Sequence, residues 1–128
     1  MNRFALEDIQ EVRGTIRFKK LIVDGACAYD DFCKQIKVDG NLHKQLVGIV
    51  NNMNQVANLK RLPKEKFRDI TPSKDPIKEF EIKKGDLRFY FIKEDGHIVV
   101  LAGKKGTQHE DISQFRSIKK RYLESKII

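Results

Sequence analysis

From Thr15 onward the hydrophobic and polar positions fall into a readable series of elements. Ile16, Phe18 and then Leu21-Ile22-Val23 alternate with Arg17, Lys19 and Lys20, the period-two pattern of a strand, which Asp24-Gly25 ends. Tyr29, Phe32, Cys33 and Ile36 recur at helical spacing until Asp39-Gly40 stops them. Leu42, Leu46, Ile49, Met53 and Val56 then step by four, three, four and three. That spacing lays one apolar stripe along a helix of about five turns. The stripe fades into Lys60-Arg61-Leu62-Pro63, where the proline cannot continue a helix. Residues 1–13 read as a short N-terminal extension, helical through Phe4 to Val12, ahead of a single domain over 14–128.

All three prolines, Pro63, Pro72 and Pro76, punctuate a basic connector over 63–76 that reads equally as a functional loop or a solvated one. Three strands follow. Ile77, Glu79, Glu81 and Lys83 alternate with Lys78, Phe80 and Ile82, then Lys84-Gly85-Asp86 turns the chain. Leu87 to Lys93 forms the second strand, and Asp95-Gly96 marks a tight hairpin. His97 to Gly103 forms the third, and its unbroken apolar run predicts a central strand buried on both faces. Thr107 and Glu110 make a capping-box pattern at the start of a last helix. Ile112, Phe115, Ile118 and Tyr122 mark that helix's inner side, and Arg116, Lys119, Lys120 and Arg121 fill the remainder as a wet surface. The expected fold class is α+β: an N-terminal strand and a three-strand meander, with the helices packed on one sheet face.

Composition narrows the function. The 128 residues are 40% hydrophobic and 34% charged, which excludes a disordered tail, and no apolar run approaches the ~20 residues of a membrane-spanning helix. Arg3, Glu7, Asp8, Glu11 and Arg13 interrupt any apolar start, so no secretory leader is expected and a cytoplasmic location is. The net charge is +8, split evenly between the two halves. It suits a polyanionic partner, or serves only solubility; any basic patch must be assembled by folding. Cys27 and Cys33 fit neither a redox nor a zinc spacing, and both read as reduced thiols packed in the first helix. His43, His97 and His109 pair with no Cys, Asp or Glu at ligand spacing, so no metal and no cofactor is expected. Gly-rich phosphate loops and nucleophile elbows are absent.

The stretch IKEFEIKKGDLRFYFIKEDGHIVVLAGKKGTQ resembles the second half of the RelE/HigB/ParE superfamily of bacterial toxins. The likeness lies in the arginine-bearing aromatic strand Leu87-Arg88-Phe89-Tyr90-Phe91, the apolar strand Ile98 to Leu101, and the ending Lys104-Lys105-Gly106-Thr107-Gln108. It covers about residues 77–121 and is nearest the HigB-like branch. The resemblance implies a RelE-like antiparallel sheet packed with two helices and a C-terminal helix. It also implies the toxin of a type II toxin–antitoxin pair, an endoribonuclease that cleaves mRNA on the ribosome or free and so inhibits translation. The ParE branch instead poisons DNA gyrase. Implied partners are a cognate antitoxin and mRNA, with no membrane; apart from the antitoxin the toxin would be a monomer or homodimer.

Carried onto this chain, the resemblance makes Arg88, Lys104 and Lys105 the phosphate-contacting residues, with Glu79 on the first meander strand as a proton-transfer candidate. The chain departs from the RelE branch by placing Glu79 and Glu81 where that branch has catalytic lysines. It also lacks that branch's aromatic residue at the start of the last helix, leaving His109 as the nearest titratable group. Arg116, Lys119 and Lys120 would contact RNA phosphates. The residues themselves admit plainer roles: Arg88 paired with Glu79 or Glu81 across the sheet, Lys104-Lys105 in an ordinary basic loop, and His109 as a solvated first-turn residue. Three functions therefore stand: an RNA-cleaving toxin, a non-nucleolytic gyrase inhibitor or RNA binder of the same fold, and a housekeeping RNA-binding domain.

Overall fold

The computed structural model describes residues 2–126. In chain order the elements are β1 (Phe4–Asp8), β2 (Phe18–Val23), β3 (Ala26–Cys27), α1 (Ala28–Ile36), α2 (Gly40–Ala57), β4 (Phe67–Asp69), β5 (Glu79–Lys84), β6 (Leu87–Lys93), β7 (His97–Lys104) and α3 (Gln108–Ser125). The strands form one sheet in the order β1-β2-β7-β6-β5-β4, with the two-residue β3 also pairing β2. The fold is α+β, as the pattern predicted. The sheet, however, is mixed and open, because β2 runs parallel to β7, with Phe18 opposite His97 and Lys20 opposite Val99.

The helices also divide between the faces instead of sharing one. α1 and α2 cover Phe18, Ile82, Leu87, Phe89, Phe91 and Val99, while α3 covers Leu21, Tyr90, Ile92, Ile98 and Val100. The reason lies in β6 and β7, which are apolar on both sides and need an apolar layer on each. Side chains alternate along β6: Leu87, Phe89 and Phe91 face α1 and α2, and Tyr90 and Ile92 face α3.

Four further expectations change. Phe4–Asp8 is a strand, not a helix, and pairs antiparallel with β2. The same segment puts Ile9 and Val12 into the core, so residues before Gly14 join the domain's packing. The connector contains β4, whose Phe67 stacks on Phe80 at 4.9 Å between ring centroids; three residues are too few to show a strand period. Thr107 holds the N-cap position of α3, yet its side chain makes no cap hydrogen bond: the hydroxyl donates to the Asp111 carboxylate at 2.7 Å, and no capping box forms with Glu110. Cys27 lies in β3, outside the helix that holds Cys33, and both thiols are free.

The asparagines flanking α2 acquire a purpose. Asp39 caps the helix by accepting from the Asn41 and Leu42 N–H groups at 2.9 and 3.1 Å. At the other end Asn54 donates to the Glu11 carbonyl and accepts from the Arg13 N–H, and Asn58 donates to the Arg13 carbonyl. These bonds clamp the link from β1 to β2 against the helix.

The β6–β7 turn shows how tightly the central strands are set. Gly96 has φ +96° and lies over the Arg17 carbonyl oxygen, which a Cβ would meet at 2.5 Å. That oxygen also accepts from the His97 N–H at 2.9 Å. Gly96→Ala should therefore cost about 1–3 kcal/mol of stability, read as a lower urea midpoint with an unchanged slope.

Candidate nucleic-acid interface

The candidate site lies on the α3 face, where the end of the sheet meets the start of that helix. Pairing places Arg68 of β4 opposite Glu81 of β5, and Glu81 opposite Tyr90 of β6. The next row holds Lys83, Arg88 and Gly103. Side chains in these two rows point to one face, so Arg68, Lys83 and Arg88 are gathered around a buried glutamate and a buried tyrosine. The start of α3 closes the cluster from above. Gln108 donates to Glu81 at 2.6 Å, and Asp111 stands so close to Gly103 that a Cβ there would reach its carboxylate oxygen.

Glu81 is fully buried and organises the group. It accepts from Arg68 Nη2 at 3.1 Å on one oxygen and from Gln108 on the other. Arg88 is turned along its own strand end, with Nη1 donating to the carbonyls of Gly85 and Leu87 at 2.7 and 2.9 Å. Neither Glu79 nor Glu81 pairs with it, contrary to the plainer reading of that arginine.

Three buried polar atoms here have no hydrogen-bond partner among the described residues: Arg68 Nε, Arg88 Nε and the Tyr90 hydroxyl. An unpaired buried donor costs about 1–3 kcal/mol, so three in adjacent rows are an unusual concentration of unmet donor capacity. Burial, with the Glu81 charge second, pushes the Tyr90 phenol well above its ordinary range. It is a neutral donor at any physiological pH.

One helical turn further on, a groove of about 660 Å³ runs between the β4 segment and α3, lined by Arg68, Asp69, Ile70, His109, Ile112, Ser113 and Arg116. His109 is exposed and lines this groove together with Arg68. The Thr71 side chain and N–H hold the Asp69 carboxyl below its ordinary range, so the groove carries one fixed anion among its cations.

The other expected site residues lie elsewhere. Glu79 is 1% exposed, and both its oxygens are taken, Oε1 by Arg116 at 3.0 Å and Oε2 by Lys119 at 2.8 Å. It is a structural anion and is not placed to move protons for a substrate. Lys119, expected on a wet face, is buried and also donates to Asp75 and the Ile77 carbonyl. The lysine, with the Ile77 N–H second, holds the Asp75 carboxyl below its usual range. Arg116 is half-committed, since its Nη2 binds the Ile70 carbonyl while its side chain borders the groove. Lys120 alone of the three is exposed on α3 with no side-chain partner among the described residues.

Lys104 pairs with Leu87 across the sheet and so leans to the α1–α2 face, opposite Arg88. With Lys105, Asp39, Asn41 and Asp86 it lines a separate depression of about 360 Å³ at the start of α2. The sheet therefore divides Arg88 from the lysine pair, and Arg68 and Lys83 take the lysines' place beside it. Lys83 was not among the expected site residues, although alternation in 77–83 sets it on one face with Glu79 and Glu81; Arg68 had no signal, since its strand was hidden in the connector.

On the α1–α2 face a cavity of about 570 Å³ is lined in part by Tyr29, Cys33, Lys37, His43 and Val47. Burial pushes the Cys33 thiol up to about 11, which leaves no thiolate for nucleophilic chemistry. Among the described residues no cluster of three or more His, Cys, Asp or Glu could hold a metal ion, and no helix is long and apolar enough to cross a membrane. No protein-family model, no curated protein and no solved structure matches this chain.

Proposed function

We propose that this chain is the toxin of a type II toxin–antitoxin pair, a metal-independent endoribonuclease that cleaves mRNA in the cytoplasm, on the ribosome or free of it. One observation carries the proposal: Arg68, Lys83 and Arg88 converge on one sheet face, with unpaired buried donors among them and an exposed imidazole alongside. A phosphodiester is the ligand that would satisfy such donors while matching the +8 charge.

The reaction these groups suit is internal transesterification. The ribose 2′-oxygen attacks the adjacent phosphorus, the bond to the 5′-oxygen breaks, and the products are a 2′,3′-cyclic phosphate and a 5′-hydroxyl. His109 takes the 2′-hydroxyl proton or returns one to the leaving oxygen. Arg88 and Arg68 neutralise the charge that builds on the phosphate. Arg116 and Lys120 meet flanking phosphates along α3. The antitoxin would be a partly disordered chain whose acidic segments cross the same groove.

The experiment is controlled induction in a bacterial host with mapping of mRNA 5′ ends. The native chain should arrest growth and create new ends. Arg88→Ala and Arg68→Ala should each reduce cleavage by about 10²–10³-fold. Tyr90→Phe, which removes an unpaired hydroxyl, should stay folded and lose part of the activity. New ends that persist undiminished in both arginine variants would refute the site.

A second reading, binding without cleavage in the manner of a gyrase inhibitor or RNA binder, is favoured by the commitment of Glu79 and Glu81 to internal partners. Growth arrest with intact mRNA would select it. Salt-sensitive RNA binding with no effect on growth would point to a housekeeping RNA-binding domain.

A further inference from the structure

The opposite edge of the sheet carries a second surface, independent of what the α3 groove binds. β1 is an edge strand, with β2 on one side and no strand on the other among the described residues. The Asp24 N–H donates to the Arg3 carbonyl and the Ile9 N–H to the Phe18 carbonyl. These bonds fix the parity of the ladder: Arg3, Ala5, Glu7 and Ile9 turn their backbone groups inward, and Phe4, Leu6 and Asp8 turn theirs out. Phe4–Asp8 has no proline, no bulge and no lysine on that edge, its two charges are the acids Glu7 and Asp8, and Leu6 is 36% exposed.

We propose that β1 pairs antiparallel with β1 of a second copy of this chain, about a two-fold axis at Ala5. The sequence around that residue is self-complementary in the one register that places it on the axis. Phe4 meets Leu6 of the other copy, and these are the residues whose N–H and C=O groups point outward, so each such pair can exchange both backbone hydrogen bonds. Their side chains lie together on the α3 face, where Phe4 already packs edge-on against Tyr122 at 5.5 Å. On the other face Arg3 meets Glu7 of the second copy. Glu7 stands opposite Lys20 within its own sheet, 3.8 Å from its ammonium, and Arg3 stands beside Asp24. The row across the junction therefore reads Lys20, Glu7, Arg3, Asp24, alternating in sign through both copies. A register shifted by two residues in either direction loses the Arg3–Glu7 match. The result is an isologous dimer with one continuous sheet.

Sedimentation equilibrium on the full chain tests this. The native protein should dimerise, and Arg3→Glu and Glu7→Arg should each be monomeric, because each sets like charges opposite one another at both ends of the strand pair. An equimolar mixture of the two variants should recover the dimer, since every cross-strand pair is then of opposite sign. Both side chains are exposed, so the fold should survive either change, which circular dichroism confirms. Ala5→Cys should close a symmetric disulfide on oxidation, because a directly opposed non-hydrogen-bonded pair has Cα atoms ~4.5 Å apart, within disulfide range. A native chain that stays monomeric at hundreds of micromolar overturns the proposal and leaves the edge to a strand of another protein. A dimer indifferent to both charge reversals overturns it as well.

Discussion

Lys119→Met is expected to lower the unfolding free energy by about 3–5 kcal/mol, the largest single effect outside the aromatic core. Lys119 is 4% exposed, and its ammonium serves three acceptors at once: Glu79 at 2.8 Å, Asp75 at 2.8 Å and the Ile77 carbonyl at 2.9 Å. Removing it leaves Glu79 buried with Arg116 as its remaining cation and strips a donor from the segment entering β5. Desolvating two charges is costly in itself, so the pair adds little over an apolar pair of similar volume; the loss comes from breaking it on one side. Glu79→Leu combined with Lys119→Met should accordingly recover most of the stability. Lys120→Met, one residue away and exposed, should stay within about 0.5 kcal/mol of the native protein. Urea unfolding of the four proteins decides the matter. An undiminished midpoint for Lys119→Met would mean that the cluster does not hold α3 to the sheet.

Acid should destabilise the protein through His97. The ring is buried within 5.0 Å of Phe18, 4.9 Å of Phe91 and 5.6 Å of Phe80, centroid to centroid, and its Nδ1 has no hydrogen-bond partner among the described residues. Burial, with the Lys93 charge second, pulls its pKa down from the ordinary 6.5 to about 4. The unfolded chain therefore takes up a proton near pH 6.5, while the folded chain refuses it until about pH 4. Stability contributed by the neutral ring is complete above pH 6.5 and is lost as pH falls through that window, by about 3 kcal/mol at its foot. His97→Phe, which fills the same aromatic setting without a titrating group, should flatten the pH 6.5–4 portion of the stability curve relative to the native protein. Equal slopes in the two proteins would show that the ring is protonated in the folded state.

The two expectations share a cause that bears on how the chain could be read. His97 and Lys119 look like surface residues in sequence, one beside a hairpin Asp-Gly and one in a basic helix. Both are buried because a neighbour far along the chain covers them: β2 brings Phe18 over His97, and the loop before β5 brings Asp75 and Ile77 over Lys119. A hydrophobic pattern reports what a residue's own element wants to bury. It carries no information about which distant polar group will arrive to meet it.

The same distinction runs through the whole molecule. The sequence by itself determined the α+β class, the long helix over Gly40–Ala57, the meander of β5, β6 and β7, the two-sided burial of β7 and the facing of Arg88 with Tyr90. These follow from local periodicity, because side-chain direction repeats every two residues in a strand and every 3.6 in a helix. Only the tertiary structure decided that β2 joins β7 in parallel, that the helices take opposite faces, and that Phe4–Asp8 and Phe67–Asp69 are edge strands. It also divided the expected site, gathering Arg68 and Lys83 beside Arg88, sending Lys104 to the other face and burying Glu79 and Lys119. Such outcomes depend on pairing between segments dozens of residues apart. That pairing is selected by the total burial and hydrogen bonding of the assembled sheet, which no single segment encodes.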